Sequence, residues 1–155
     1  MNNKTAIIIP AHNEQRTIEN AIRQSKKYGD VIVINDFSTD GTDTIAKRSG
    51  ARVINNDMNI GYGKSINRGL LITLNQNYLY AITTDADGEI PIKCISAIKE
   101  RLENFDEAVV IAQRNKLPRW GEQMGRIITK KFIIYNKWYT FRIYVKWSNI
   151  RKVLF

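Results

Sequence analysis

Five short aliphatic runs, set apart by segments of helix length, constrain this chain most. They lie at residues 6–9, 31–34, 52–55, 79–84 and 108–112. Each is four to six residues long; those at 6–9, 31–34 and 108–112 are apolar throughout, 79–84 is apolar up to Ile82, and 52–55 is apolar only at Val53 and Ile54. Such runs suit strands covered on both faces. Between them, residues 14–27, 39–48, 64–74 and 91–102 read as helices, the first and third with apolar side chains at helical spacing. Ile18, Ala21, Ile22 and Ser25 mark the first of these helices, and Ile66, Leu70, Leu71 and Leu74 the third. Gly50 follows the second at the position where helices favour glycine, and Pro91 opens the fourth. Pro10 is expected to close the first strand. The order β-α-β-α-β-α-β-α-β predicts an α/β fold: a three-layer, Rossmann-like arrangement with a mostly parallel central sheet between helices. Ligands of such sheets bind beyond the carboxyl ends of the strands. Here those ends run into polar loops, three of them acidic: residues 10–14, 35–41, 85–89 and 113–116.

Composition bounds the function classes. A chain of 155 residues with 43% hydrophobic residues can bury a core and fits one domain. Cys94 is the only cysteine, which excludes an intramolecular disulfide framework and a cysteine-based zinc site. No apolar stretch reaches the ~18 residues of a membrane-spanning helix. The net charge of +9 is unevenly placed. Residues 1–113 hold 13 Lys+Arg and 14 Asp+Glu, whereas residues 114–155 hold 11 Lys+Arg and one acid, Glu122. That last stretch also holds Trp120, Trp138 and Trp147. Basic and aromatic residues together suit anionic lipid, phosphate or nucleic acid, and equally a solvated basic face.

Several constellations carry chemistry. Asp85 and Asp87 stand two apart at a strand end, where two carboxylates would share a hard cation such as Mg²⁺ or Mn²⁺. Acids that cap the next helix are the plainer alternative. Asp36 ends the second strand and could accept an N–H from a nucleobase, while Ser38, Thr39 and Asp40 fit ordinary capping and turn positions. Residues 59–65, with Gly61, Gly63 and Lys64, look like half a phosphate-binding loop. Met58 stands where that loop needs its first glycine, so an ATPase is excluded. Two glycines before a helix still permit close approach of backbone to a ligand. His12 is the only histidine, better suited to a pocket wall or surface than to a base or metal ligand.

In order and in kind, these pieces resemble the nucleotide-sugar-binding half of family 2 glycosyltransferases with the GT-A fold. The P-x-x-N-E motif stands as Pro10-Ala11-His12-Asn13-Glu14, and the D-D-x-S-x-D-G-T motif as Asn35-Asp36-Phe37-Ser38-Thr39-Asp40-Gly41-Thr42. The N-x-G-x-G-x-x-x-N-x-G motif runs from Asn59 through Gly61, Gly63 and Asn67 to Gly69, and the D-A-D motif is Asp85-Ala86-Asp87. The polyprenyl-phosphate sugar transferases, such as dolichyl-phosphate mannose synthase, look nearest, with Glu89 at a position where that branch has Gln. The resemblance implies roles. Pro10, His12 and Glu14 would line the base and ribose pocket, and Asp36 would read the base. Gly61, Gly63 and Lys64 would lie against the nucleotide. Asp85 would meet the ribose or metal, and Asp87 with Glu89 would hold a Mg²⁺ or Mn²⁺ ion bridging the diphosphate. Arg114 would sit near the phosphates. The implied reaction is transfer, with inversion, from a UDP- or GDP-sugar to a polyprenyl phosphate or a glycan, with Asp85 and Asp87 as the catalytic pair.

Two departures accompany it. Asn35 replaces the first Asp of the pair, and Phe37 a small residue. Family members also continue past 155 residues through an acceptor-binding half, so a C-terminally shortened chain is expected. The alternative function is then an inactive, nucleotide-binding remnant. Residues 117–132 resemble the helix after the fifth strand, giving a domain at 1–135 and an atypical basic aromatic tail at 136–155. Within that tail, residues 139–147 alternate like an amphipathic strand. A lipid phosphate is already anionic and would need no general base, which favours it as acceptor. The basic tail would then hold a cytoplasmic protein at the inner membrane face. A haloacid-dehalogenase-type phosphatase is disfavoured because its D-x-D-G follows the first strand. Nucleic acid is not expected as a partner.

Overall fold

The computed structural model describes residues 5–87, Ile95, Glu100, 109–112 and 142–146. Its elements are β1 (Thr5–Ala11), α1 (Ile18–Ser25), β2 (Asp30–Asn35), α2 (Thr42–Arg48), β3 (Arg52–Asn55), α3 (Tyr62–Asn75), β4 (Tyr80–Thr83), β5 (Val109–Ala112) and β6 (Arg142–Lys146). The expected helices at 91–102 and 117–132 lie outside the described residues, although Ile95 and Glu100 are themselves helical.

The sheet order is β3-β2-β1-β4-β6-β5. β1 pairs in parallel with β2 and β4, and β2 with β3. β6 runs antiparallel between β4 and β5. The amphipathic strand read from residues 139–147 is therefore a sheet strand, inserted between two strands that precede it in sequence. This is a mostly parallel sheet flanked by helices, as the pattern predicts.

Alternation along the strands sorts the core into two layers. Ile7, Ile9, Val31, Val33, Tyr80 and Ile82 point to one face and pack with Ile18, Ala21 and Ile22 of α1 and Ala46 of α2. Ile8, Ile32, Ile34 and Ala81 point to the other, beneath Leu70, Ile72 and Leu74 of α3. Gly69 lets α3 approach β1 closely, because a Cβ there would lie 2.5 Å from Ile8 Cγ2. That contact sets the roll of the helix. Ser65, Ile66, Gly69 and Thr73 face inward, whereas Leu71, about 200° round from Gly69, is 52% exposed. The expectation that Leu71 shares the buried face is corrected accordingly.

Pro10 does not close β1, which continues to Ala11. The β1–β4 ladder ends at Ile8, whose carbonyl accepts the N–H of Thr84. Pro10, two residues on, turns its nitrogen to the same side, past the last β4 pairing, so its missing N–H costs no ladder bond. α1 and α2 also start later than the expected 14–27 and 39–48, at Ile18 and Thr42.

Candidate functional site

β1 to β4 are parallel, so the loops after them emerge at one edge of the sheet. Two of these loops interlock. The N–H of Asn13 donates to Ser38 Oγ at 3.0 Å, and Asn13 Oδ1 accepts the N–H of Thr39 at 2.9 Å. The N–H of Glu14 donates to Thr42 Oγ1 at 2.8 Å. Asp40 accepts from the N–H of Thr42 at 3.0 Å and from that of Gln15 at 3.2 Å. Burial pushes the Asp40 carboxyl up, but these bonds, the Thr42 hydroxyl first, outweigh it and hold it below the usual range. Asp40 is thus a turn and capping residue, as its position suggested.

Asp36, only 4% exposed, is the centre of the site. Oδ1 accepts from Asn56 Nδ2 at 2.7 Å and from the N–H of Ile60 at 2.9 Å. Oδ2 accepts the N–H of Gly61 at 2.8 Å. Burial disfavours the charge, yet the bonds from Ile60, Asn56, Gly61 and Ser65 more than offset it and hold the carboxyl below the ordinary range. A carboxylate has about four acceptor positions, and three protein N–H donors occupy two on Oδ1 and one on Oδ2. The Asp36 carbonyl accepts from His12 Nδ1 at 2.7 Å. That bond requires the proton on Nδ1 and leaves Nε2 as the acceptor, with Asn13 Nδ2 and Asn59 Nδ2 each 3.4 Å away. His12 is exposed.

The loop between β3 and α3 is the other half of the arrangement. Gly61 has φ 86°, a conformation that favours glycine, and open space lies where its Cβ would be. α3 begins at Tyr62, so Gly63 lies inside its first turn instead of ahead of it, and Lys64 is exposed beside it. The Tyr62 hydroxyl donates to Asp85 Oδ1 at 2.7 Å, joining this loop to the one after β4. Asp85 is half-buried and Asp87 exposed. Both lie past the end of β4, so strand alternation does not orient them. Glu89 and Arg114 lie outside the described residues. Among the described residues, no three His, Cys, Asp or Glu side chains converge as a ready-made metal cage. Two hard carboxylates at an open loop still fit Mg²⁺ or Mn²⁺, ions that keep waters and take phosphate oxygens.

Of the remaining expected residues, Pro10 is buried within β1. Glu14 Oε2 accepts from Thr17 Oγ1 at 2.7 Å, at the entry to α1. Asn35 uses its amide in both directions: Nδ2 donates to Asn55 Oδ1 at 3.0 Å, and Oδ1 accepts the N–H of Ser38 at 3.3 Å. An aspartate there would lack that donor. Phe37 is 50% exposed and has φ 59°, unusual for a bulky residue. Sequence reasoning missed Asn56, Ser65, Arg68 and Tyr62. Asn56 Nδ2 also donates to Ser65 Oγ at 3.0 Å, and Arg68 Nη1 donates to Asn56 Oδ1 and to the Asn55 carbonyl. Their only sequence signal was proximity to the glycine motif.

The family model for glycosyl transferase family 2 matches residues 6–151. The uncharacterized protein MJ1222 of Methanocaldococcus jannaschii is 31% identical over 107 residues, covering 66% of this chain and 44% of that protein. The UDP-N-acetylglucosamine–dolichyl-phosphate N-acetylglucosaminyltransferase of Methanococcus voltae is 27% identical over 144 residues, covering 81% and 57%. The chain thus spans about half the length of the curated relatives it matches. Among solved structures, glucosyl-3-phosphoglycerate synthase of M. tuberculosis superposes with a TM-score of 0.60 at 24% identity, over 70% of this chain and 44% of that one. Its complex with Mn²⁺, UDP and glucosyl-3-phosphoglycerate gives 0.59 at 22% identity, over 70% and 43%. At this identity the likeness establishes the fold.

Proposed function

On the premise that the chain belongs to glycosyl transferase family 2, we propose that it forms the donor site of an inverting transferase using a nucleoside-diphosphate sugar. The observation that carries this most is the interlocking of the motif loops at the carboxyl edge, through Asp36 to Gly61 and Tyr62 to Asp85. UDP is the donor nucleotide favoured. The Methanococcus voltae relative is named for UDP-N-acetylglucosamine, and the mycobacterial synthase was solved with UDP.

In this reading Pro10, His12 and Glu14 border the base and ribose. Asp36 would read the base through the acceptor capacity left on Oδ2, while Asn56, Ile60 and Gly61 hold the carboxylate in place. Gly61 offers open backbone, and Gly63 and Lys64 lie along the diphosphate side. Asp85 and Asp87, with Glu89, would hold Mg²⁺ or Mn²⁺, and Arg114 would neutralise phosphate charge. The cation's contribution when bound is to offset charge on the departing nucleoside diphosphate. The acceptor proposed is a polyprenyl phosphate, as in the name of the Methanococcus voltae relative. Its phosphate oxygen attacks the anomeric carbon as the bond to the donor's β-phosphate oxygen breaks, which inverts the centre. No proton need be removed from that anion. The basic residues of 114–155 suit an anionic membrane face, where a lipid phosphate would be met. Among the described residues, no helix is long and apolar enough to cross a membrane.

The test is label transfer from UDP-glucose, UDP-N-acetylglucosamine and GDP-mannose into extracted polyprenyl phosphate, in the presence of Mn²⁺. Labelled lipid from a UDP-sugar is the expected result. UDP binding without transfer to any acceptor would favour the alternative of an inactive nucleotide-binding remnant.

A further inference from the structure

We propose that Tyr62 is a positioning residue for Asp85, and that the Asp36-held loop exists in part to place it; this rests on the donor-site reading above. The phenol hydroxyl donates to Asp85 Oδ1 at 2.7 Å, across 23 positions of sequence. Asp85 lies beyond the last pairing of β4, so the strand does not fix the direction of its side chain. A hydrogen bond from a separate element holds one of its carboxylate oxygens. Tyr62 is itself well placed to do this. It is the first residue of α3, and the residue before it is held at φ 86° with its N–H on Asp36 Oδ2. Ile60 is held on Oδ1 of the same carboxylate, and Asn59 Oδ1 also accepts the N–H of Gly61, at 3.1 Å.

The result is a relay from the end of β2 to the end of β4, passing over β1, which lies between them in the sheet. Asp36 fixes two backbone amides, these fix the start of α3, and Tyr62 carries that order to the first carboxylate of the D-A-D motif. A phenol suits this better than an ammonium or guanidinium at the same position. It donates one bond to Asp85 without adding a positive charge that would compete with a cation. Tyr62 is 43% exposed, so its ring contributes little to the core.

The test is a cycle of Tyr62→Phe, Asp85→Ala and the double variant, with UDP titrated calorimetrically in the presence and absence of Mn²⁺. Tyr62→Phe should weaken Mn²⁺-dependent UDP binding about tenfold, the size of one hydrogen bond to a charged group. It should leave metal-free UDP binding unchanged and lower the thermal midpoint of the unliganded protein by no more than about 3 °C. The double variant should bind no worse than Asp85→Ala alone, because Tyr62 acts only through Asp85. If wild type binds UDP with Mn²⁺ and the two losses are additive, or Tyr62→Phe binds like wild type, the inference is overturned and the donor site stands. If folded wild type binds no UDP at all, the donor-site reading and this inference fall together.

Discussion

Asp36 Oδ2 and the backbone N–H of Gly61 lie 2.8 Å apart, joining the end of β2 to the turn that starts α3. Residues 25 apart in sequence are thereby made a single unit, with Ile60 and Asn56 on the other carboxylate oxygen. Asp36→Asn would turn an amide donor toward groups that are themselves donors. It should cost about 2–4 kcal/mol of stability, from lost charged bonds and stranded N–H groups. Urea unfolding at neutral pH measures this directly.

The same bonds set an acid limb. The folded carboxyl of Asp36 lies below its ordinary value, so in the unfolded chain it takes up its proton first as pH falls. The stability it contributes is fully present above about pH 4 and is lost as pH drops through the lower folded value. Stability curves between about pH 2 and 5 should therefore be shallower for Asp36→Asn than for wild type. Some slope should persist from Asp40, whose carboxyl is lowered as well.

Phe37 is held in the left-handed region because its neighbours are pinned, Asp36 by the 60–61 amides and Ser38 by Asn13 and Asn35. Its ring is half exposed, so little packing opposes its removal. Phe37→Gly should relieve the backbone and stabilise the fold by about 1 kcal/mol, raising the midpoint about 3 °C. A fall in the midpoint on differential scanning calorimetry would mean that the ring packs more than its exposure indicates.

Gly69→Ala should do the opposite. The added methyl meets Ile8 Cγ2, a branch methyl on a central strand that has nowhere to move. A loss of about 1–3 kcal/mol is expected in denaturant unfolding, as for overpacked cores generally.

Removing residues 136–155 should remove β6, which pairs with both β4 and β5. β4 would become an open edge, a template for association. Size-exclusion chromatography of a chain ending at residue 135 is expected to show oligomers or aggregate. A monomer as stable as the full chain would contradict this.

The parts legible in the sequence were those set by local pattern. The apolar runs gave β1 to β5 to within two residues at each end, and the D-A-D motif and the start of the glycine motif, Asn59 to Gly61, fell on loops at one sheet edge. The alternation of residues 139–147 marked β6, though nothing local indicated that it would insert between β4 and β5. What was not legible depends on partners 20 or more positions away. The anchoring of Asp36 is one such case, because its donors, Asn56, Ile60 and Gly61, come from another loop. Tyr62 was one variable position within a motif until Asp85 stood beside it. Leu71 fitted the helical stripe, and only the close approach at Gly69 turned it outward.

A metal-dependent nucleotide site at the carboxyl edge of the sheet is best tested by calorimetric titration of UDP and GDP, with and without Mn²⁺, on wild type and Asp87→Asn. UDP binding should strengthen with Mn²⁺ and lose that gain in Asp87→Asn. Binding that ignores Mn²⁺ and survives Asp87→Asn, or no binding by a folded protein, would contradict it.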